Sequence, residues 1–288
     1  MILVTGATGF IGRSLMNRLQ IAGYTARPFT GRITDTAAIR EQLADIHTVI
    51  HLAGAEARGR HRLLQRVDVE GTRRLLDECR RAGVQHIIIP SRLGADPNAS
   101  QMLLRVKGQV ERLVRQSGIP YTILRTTTLY GRNDRFTEII LSLALWSWPF
   151  VWLPGGGKVP FQPLWVEDYT RCLVATLKRP DLQNKTISLG GEERLKYREI
   201  VVQILQAADI RRILLPLPMV LLRPLSTLLF RWWYWPPVTP YFVERFFVPD
   251  LAELDSVLHH FYFRPVRLPH NLAYLRRPGL RRRLFRRY

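Results

Sequence analysis

Residues Thr5-Gly6-Ala7-Thr8-Gly9-Phe10-Ile11-Gly12 end the first apolar run, Met1-Ile-Leu-Val-Thr5, and open a helix-period segment from Ile11 to Ala22. Three glycines spaced by three in a strand-to-helix turn have separate tasks. Gly6 permits the tight turn off the strand, Gly9 lets the backbone approach a pyrophosphate, and Gly12 allows close packing of the helix. The helix N-terminus then presents free N–H groups, an anion site made of backbone. Such a loop, in the first strand-helix unit of the chain, predicts binding of a dinucleotide. Its contacts are expected from Gly6, Thr8, Gly9, Phe10, Ile11, Gly12 and Arg13.

Working outward, the N-terminal half alternates short apolar runs with helix-period segments, the pattern of βαβ units. Strands are expected at Ile2 to Thr5, Tyr24 to Phe29, Thr48 to Leu52, Gln85 to Ile89 and Thr122 to Leu124. Helices are expected at Ile11 to Ala22, Thr36 to Leu43, Leu63 to Ala82 and Gln101 to Gln116. Gly23, Gly83 and Gly118 each fall where a helix would end in a left-handed residue. The stretch from Gly31 to Leu43 is short for a full helix-strand unit, so a third strand is truncated or missing. The fold class is α/β: a Rossmann-type, doubly wound parallel sheet followed by a smaller, mostly helical C-terminal lobe.

The boundary is placed at 130/131, with residues 1–130 forming the nucleotide-binding domain and residues 131–288 the lobe, interleaved with the sheet around 158–190. Aromatic and proline density rises there. The segments Ile139 to Leu153 and Ile213 to Trp235 combine Leu and Trp with Pro breaks, and the lobe is rich in Trp, Pro and Arg from residue 211. Either they form the core of the lobe, or they present an interfacial surface, since Trp beside Arg suits a headgroup boundary.

The 288 residues carry 43 Lys+Arg against 23 Asp+Glu, a net charge of +20, so an acidic neighbour is expected. Seven of the thirteen residues from Arg276 to Tyr288 are arginine, which reads as a solvated basic tail or as an anchor for anionic lipid or a partner. A hydrophobic share of 47% excludes intrinsic disorder. Two cysteines, Cys79 and Cys172, make no disulfide framework, and no ligand spacing surrounds His259 and His260, so no metal is expected. Nucleic acid is disfavoured because no recognition motif accompanies the arginines. Neither a secretory signal nor a transmembrane helix is read from the sequence. The expected place is cytoplasmic, at the inner face of a membrane.

Cofactor choice turns on the end of the second strand, where an acid favours NAD and a base the 2′-phosphate of NADP. Thr25-Ala-Arg27-Pro-Phe-Thr-Gly31-Arg32 holds no acid before Asp35. Arg27 and Arg32, with Arg13, therefore favour NADP(H) over NAD(H).

Taken together, the glycine loop, His51-Leu-Ala-Gly54, Val69-Glu-Gly-Thr72 and Pro90-Ser-Arg-Leu-Gly-Ala-Asp-Pro97 resemble the atypical and extended short-chain dehydrogenases. The resemblance spans most of the chain. Tyr130-Gly-Arg-Asn-Asp-Arg-Phe136, Gln162-Pro-Leu-Trp-Val-Glu-Asp168 and Leu215-Pro-Leu-Pro218 before a Trp-rich segment resemble most the NADPH-binding accessory subunit family of respiratory complex I and its bacterial relatives. The resemblance implies that Leu52, Ala53, Gly54, Ser91 and Lys107 line the dinucleotide, with Lys107 bonded to the ribose.

It also implies a Ser, Tyr and Lys for hydride chemistry, in which tyrosinate is the acid/base. Four residues before Lys107 stands Leu103, and Leu93 occupies the serine position unless a two-residue shift restores Ser91. Leucine transfers no proton, and Tyr121 and Tyr130 lie elsewhere in the order of elements. The expectation is an NAD(P)H-binding protein without dehydrogenase catalysis, an accessory or assembly factor of a membrane-associated electron-transfer complex. The alternative is an active NADP-dependent reductase or a nucleotide-sugar epimerase or dehydratase. A peripheral membrane module with a vestigial nucleotide pocket is a third reading.

Overall fold

The computed structural model describes residues 1–56, 61–222, 224, 239–247, 250–277, 279–280 and 284. They form two compact units, one of Met1–Thr126 with Val166–Leu189 and one of Thr127–Trp165 with Gly190–Tyr288.

The first unit is built on six parallel strands: β1 (Ile2–Thr5), β2 (Ala26–Pro28), β3 (Thr48–His51), β4 (His86–Arg92), β5 (Tyr121–Thr126) and β10 (Lys185–Leu189). Their spatial order is β10-β5-β4-β3-β1-β2. Ile2 lies beside Ala26 on one side and Thr48 on the other. The central strands are Val/Ile-rich and buried on both faces, as Leu3, Val4, Val49, Ile50, Ile87 and Ile88 show. β2 is short because Pro28 has no N–H to continue a ladder. Between β2 and β3 the structure places only helix α2 (Thr36–Gln42), so β2 is the edge and the chain returns directly to β3. The direction of winding thus reverses between β1 and β3, at whose carboxyl ends ligands bind in open α/β sheets.

Helices α1 (Phe10–Ile21), α4 (Gly71–Arg81) and α5 (Met102–Gln116) end before Gly23, Gly83 and Gly118, whose φ values are 75°, 70° and 76°. The helix expected from Leu63 to Ala82 is not a single α-helix. It consists of α3 (His61–Leu64), a π-helical turn (Gln65–Glu70) and α4. The backbone after the turn comes close to a neighbour: a Cβ on Gly71 would lie 2.7 Å from Ile33 Cγ2. Within the turn, the Asp68 carbonyl accepts the Thr72 hydroxyl.

In the second unit, α6 (Thr137–Trp146) and α8 (Tyr197–Ala207) bury their apolar faces together with three short strand pairs. Phe136, Phe161, Tyr197, Phe242 and Phe246 form its aromatic centre, with Tyr197 and Phe246 perpendicular at 4.8 Å. The segment Ile139 to Leu153 divides its side chains. Ile139, Ile140, Leu141, Val151 and Leu153 are core, whereas Trp148 and Trp152 are exposed. Strand β7 (Phe150–Pro154), which carries Trp152, pairs in parallel with β12 (Ile213–Leu217). The rest of the Trp-rich segment, residues 223 and 225–238, lies outside the described residues.

The basic C-terminal stretch begins as a fastening and not as a free tail. Leu275, Leu280 and Leu284 are buried in the core of this unit. Arg276 donates to the Ala207 and Gln206 carbonyls at the end of α8, 2.6 and 3.2 Å away. Arg277 bonds the buried Glu138 at 2.6 Å. Arg281, Arg282, Arg283, Arg286 and Arg287 lie outside the described residues. No helix among the described residues is long and apolar enough to cross a membrane.

Candidate dinucleotide site

The glycine loop leaves the carboxyl end of β1 at the winding reversal. Gly6 has φ +68°, and a Cβ there would lie 2.8 Å from the backbone of Leu52 and Ala53. Hydrogen alone at Gly6 lets the loop rest on the segment that follows β3. A Cβ on Gly12 would meet the Gly6 carbonyl oxygen at 2.2 Å and the Ala7 Cα at 2.6 Å, so the first turn of α1 packs directly on the loop. Gly9 is the helix N-cap and supplies no side-chain cap; no acid stands in the first turn. The positive end of α1 is therefore left to be satisfied by an external anion. Thr8 and Gly9 are exposed, Phe10 and Ile11 half-buried, and Arg13 donates from Nε to the Thr8 carbonyl at 2.7 Å. These residues make a cradle that fits a pyrophosphate.

Beneath the loop lies a polar chain whose protons can be assigned. Thr72 donates to the Asp68 carbonyl, which can only accept, so Thr72 Oγ1 must accept from His51 Nε2 at 2.9 Å. His51 Nδ1 then accepts the Thr5 hydroxyl at 2.6 Å, and Thr5 Oγ1 accepts from the Ala53 N–H at 3.2 Å. This requires a neutral His51. Burial, aided by the positive charge of Lys107, lowers its pKa to about 3.

Lys107 on α5 is largely enclosed, and its Nζ lies 3.1 Å from Asp68 Oδ1. The other carboxylate oxygen accepts from the Ala55 N–H at 2.8 Å. Burial pulls the lysine pKa down, but the charges of Asp68 and Glu56 and the hydrogen bond that Lys107 donates to Asp68 prevail, and the net shift is upward. Nearby, Arg92 bonds Glu56 at 2.8 Å.

Ser91, at the end of β4, is buried and donates its single proton to Glu111 at 2.6 Å. Glu111, fully buried, also takes a two-pronged contact from Arg125 at 2.9 and 2.8 Å and one from Arg115 at 2.7 Å. Leu103 is buried on α5 one turn before Lys107, and Leu93 is half-buried in the turn after β4. Tyr121 starts β5.

The residues expected from the sequence to select the cofactor are placed less uniformly. Arg27 on β2 donates to the Ala44 carbonyl at 2.8 Å, whereas Arg32 is exposed. Asp35 caps α2, accepting from the N–H groups of Ala37 and Ala38. Asp68, Glu56, Arg92 and Glu111 were absent from the sequence expectation. Asp68 had one visible signal, its place immediately before Val69-Glu-Gly-Thr72. Both thiols are buried, which raises Cys79 to about 12 and Cys172 likewise upward. Among the described residues no group of three or more His, Cys, Asp or Glu could hold a metal.

The parallel sheet, the winding reversal and the glycine cradle define a dinucleotide-binding protein, and a family model described as NAD(P)H-binding matches residues 21–142. The curated proteins to which the chain is similar include mitochondrial NADH dehydrogenase subunits and an assembly factor. It is 28% identical over 279 residues to the mouse (Mus musculus) NADH dehydrogenase [ubiquinone] 1 alpha subcomplex subunit 9, mitochondrial, covering 88% of this chain and 73% of the relative. It is 23% identical over 252 residues to the photosystem II assembly factor Ycf39 of Trieres chinensis, covering 80% and 77%. Among solved structures, MoeE5 in complex with UDP-glucose and NAD has the same fold, with a TM-score of 0.75 at 20% identity over 99% of each chain.

Proposed function

We propose that this NAD(P)H-binding chain holds NADP(H) without turning it over, as an accessory subunit or assembly factor of a membrane-associated electron-transfer complex. One observation carries the reading. Where the superfamily resemblance calls for a tyrosine acid/base, Leu103 offers buried hydrocarbon, and the neighbouring Lys107 ammonium is paired with Asp68 through one of its three donors. The names of the relatives support the choice of partner, one being a subunit of NADH dehydrogenase and another an assembly factor. When bound, a nicotinamide dinucleotide supplies hydride chemistry; in this reading it serves as a ligand that stabilises the folded chain by mass action.

Site roles follow. Gly6, Thr8, Gly9, Phe10, Ile11 and Gly12 receive the pyrophosphate, Leu52, Ala53 and Gly54 flank the adenosine side of the loop, and Lys107 donates to the ribose. Ser91 supports this end through Glu111. Arg13 and the exposed Arg32 favour the 2′-phosphate, with Arg27 held against Ala44 as a lesser contributor. The protein acts on the cytoplasmic face of its membrane, where arginines beyond Leu280 and the Trp-rich segment meet anionic lipid.

The test is gentle purification, denaturation and mass spectrometry of any released nucleotide, followed by titration of NADPH and NADH into the emptied chain. NADPH bound and recovered unoxidised is the expected result. Substrate-dependent oxidation would overturn it in favour of an active reductase. Absence of binding by either nucleotide would leave a membrane module with a vestigial pocket.

A further inference from the structure

Asp68 is 2% exposed and sits in the π-helical turn, where its carboxylate meets two parts of the site at once. Oδ1 faces the Lys107 ammonium at 3.1 Å, and Oδ2 accepts from the Ala55 N–H at 2.8 Å. The fit is tight, because a Cβ on Gly54 would lie 3.0 Å from Oδ1. Through its own carbonyl the same residue fixes Thr72, and so the chain through His51 and Thr5 to the Ala53 N–H. The loop from Ala53 to Ala55 is thereby tied at both ends, at Ala53 by Thr5 and at Ala55 by Asp68. The loop is also the surface on which Gly6 rests.

We propose that Asp68 is a positioning residue for the dinucleotide, holding the Lys107 ammonium and the Ala53-Gly54-Ala55 backbone in one geometry against the glycine loop. The proposal rests on the reading of this pocket as an NADP(H) site with Lys107 at the ribose. A lysine confined this closely gives a fixed donor at little ordering cost, which is how a buried partner raises affinity without touching the ligand.

The charges facing Lys107 make the proposal measurable. Burial works against the ammonium, Arg92 adds to that, and Asp68 and Glu56 oppose both. His51, the remaining titratable neighbour, stays neutral down to about pH 3. Replacing Asp68 by asparagine keeps an oxygen for the Ala55 N–H but removes the nearer of the two negative charges. Lys107 then loses its proton at a lower pH, and with it the charged hydrogen bond to the ribose.

The experiment is calorimetric titration of NADPH into the full chain from pH 6.5 to 9.5, for the wild type, Asp68→Asn, Lys107→Met and the double variant. Wild-type affinity should change little with pH over this range. Asp68→Asn should lose about tenfold or more between neutral and alkaline pH, the range of a hydrogen bond to a charged group. Lys107→Met should be weak throughout without that pH dependence, and the double variant should match Lys107→Met alone. Asp68→Ser, also neutral, reports the same loss if the asparagine chain does not fold. A wild-type-like pH profile for the neutral variants, or losses that multiply in the double variant, would overturn the positioning role while leaving the NADP(H) site intact. A wild-type chain that binds no dinucleotide would overturn both.

Discussion

Replacing Arg277 by methionine should cost the protein about 3 kcal/mol at neutral pH, a large effect for an arginine in a stretch that reads as a solvated tail. Its guanidinium bonds Glu138 at 2.6 Å, and the two side chains are 16% and 1% exposed. Removing one partner of a buried pair costs about 3–5 kcal/mol because the other charge is stranded. Two features set the figure at the lower end. The Asn133 N–H, 2.9 Å from the same oxygen, still donates to Glu138. A stranded carboxylate can also escape by taking up a proton, which for an ordinary glutamate at pH 7 costs roughly 3.7 kcal/mol. That escape becomes easier by about 1.4 kcal/mol for each pH unit lost. The deficit of Arg277→Met should therefore shrink on acidification, whereas a cavity or a lost apolar contact would cost the same at both pH values. Urea unfolding followed by tryptophan fluorescence at pH 7 and pH 5.5 measures both quantities. A loss under about 0.5 kcal/mol, the range of surface substitutions, would refute the fastening role of this segment. An undiminished loss at pH 5.5 would refute its electrostatic origin.

Gly9→Ala should fold nearly as well as the wild type, since its Cβ would meet only the Gly6 carbonyl, at 3.1 Å, yet weaken NADPH binding in calorimetry; unchanged affinity would remove the loop from the site. Gly12→Ala should lose stability as well as binding, because the clash at 2.2 Å is with backbone that cannot move aside, and a thermal melt equal to that of the wild type would contradict the packing argument. His51, with a pKa lowered to about 3, binds fewer protons folded than unfolded between that value and about 6.5. Its contribution to stability is complete above that window and falls by up to about 1.4 kcal/mol per unit as pH drops through it. His51→Gln should flatten this acid limb of the unfolding curve, and an unaltered slope would show that other groups control it. Arg32→Ser should weaken NADPH by about tenfold while leaving NADH nearly unaffected, as read by paired titrations, if the arginine meets the 2′-phosphate; equal effects on both would reassign it to general charge.

The pattern of strands and helices was legible because it is local. Apolar residues recur with period two or period 3.6 along contiguous stretches, and the turns between them need glycine at Gly23, Gly83 and Gly118 whatever lies elsewhere in the chain. The same holds for the cradle: Gly6, Gly9 and Gly12 lie within seven residues, so their spacing alone specifies a strand-to-helix turn open to an anion. The shortness of the stretch after β2 likewise led to the expectation of a truncated or missing third strand, and the structure has only α2 between β2 and β3.

Ion pairs follow no such period. Lys107 and Asp68 are separated by 39 residues, and Arg277 and Glu138 by 139, so no window of sequence contains both charges. In the sequence Arg277 is one of a run of arginines and Asp68 one acid among many. Only folding decides that the former reaches a buried glutamate and the latter a largely enclosed lysine. The protonation of His51 belongs to the same class, since burial and the charge of Lys107, both products of packing, set it. The sequence by itself determined the doubly wound sheet and the glycine turn from β1 into α1, and it set Leu103 four residues before Lys107, because each is written in neighbouring residues. Tertiary structure decided which charges are spent holding the protein together and which remain for a ligand, because desolvation and partnership depend on what surrounds a side chain in space.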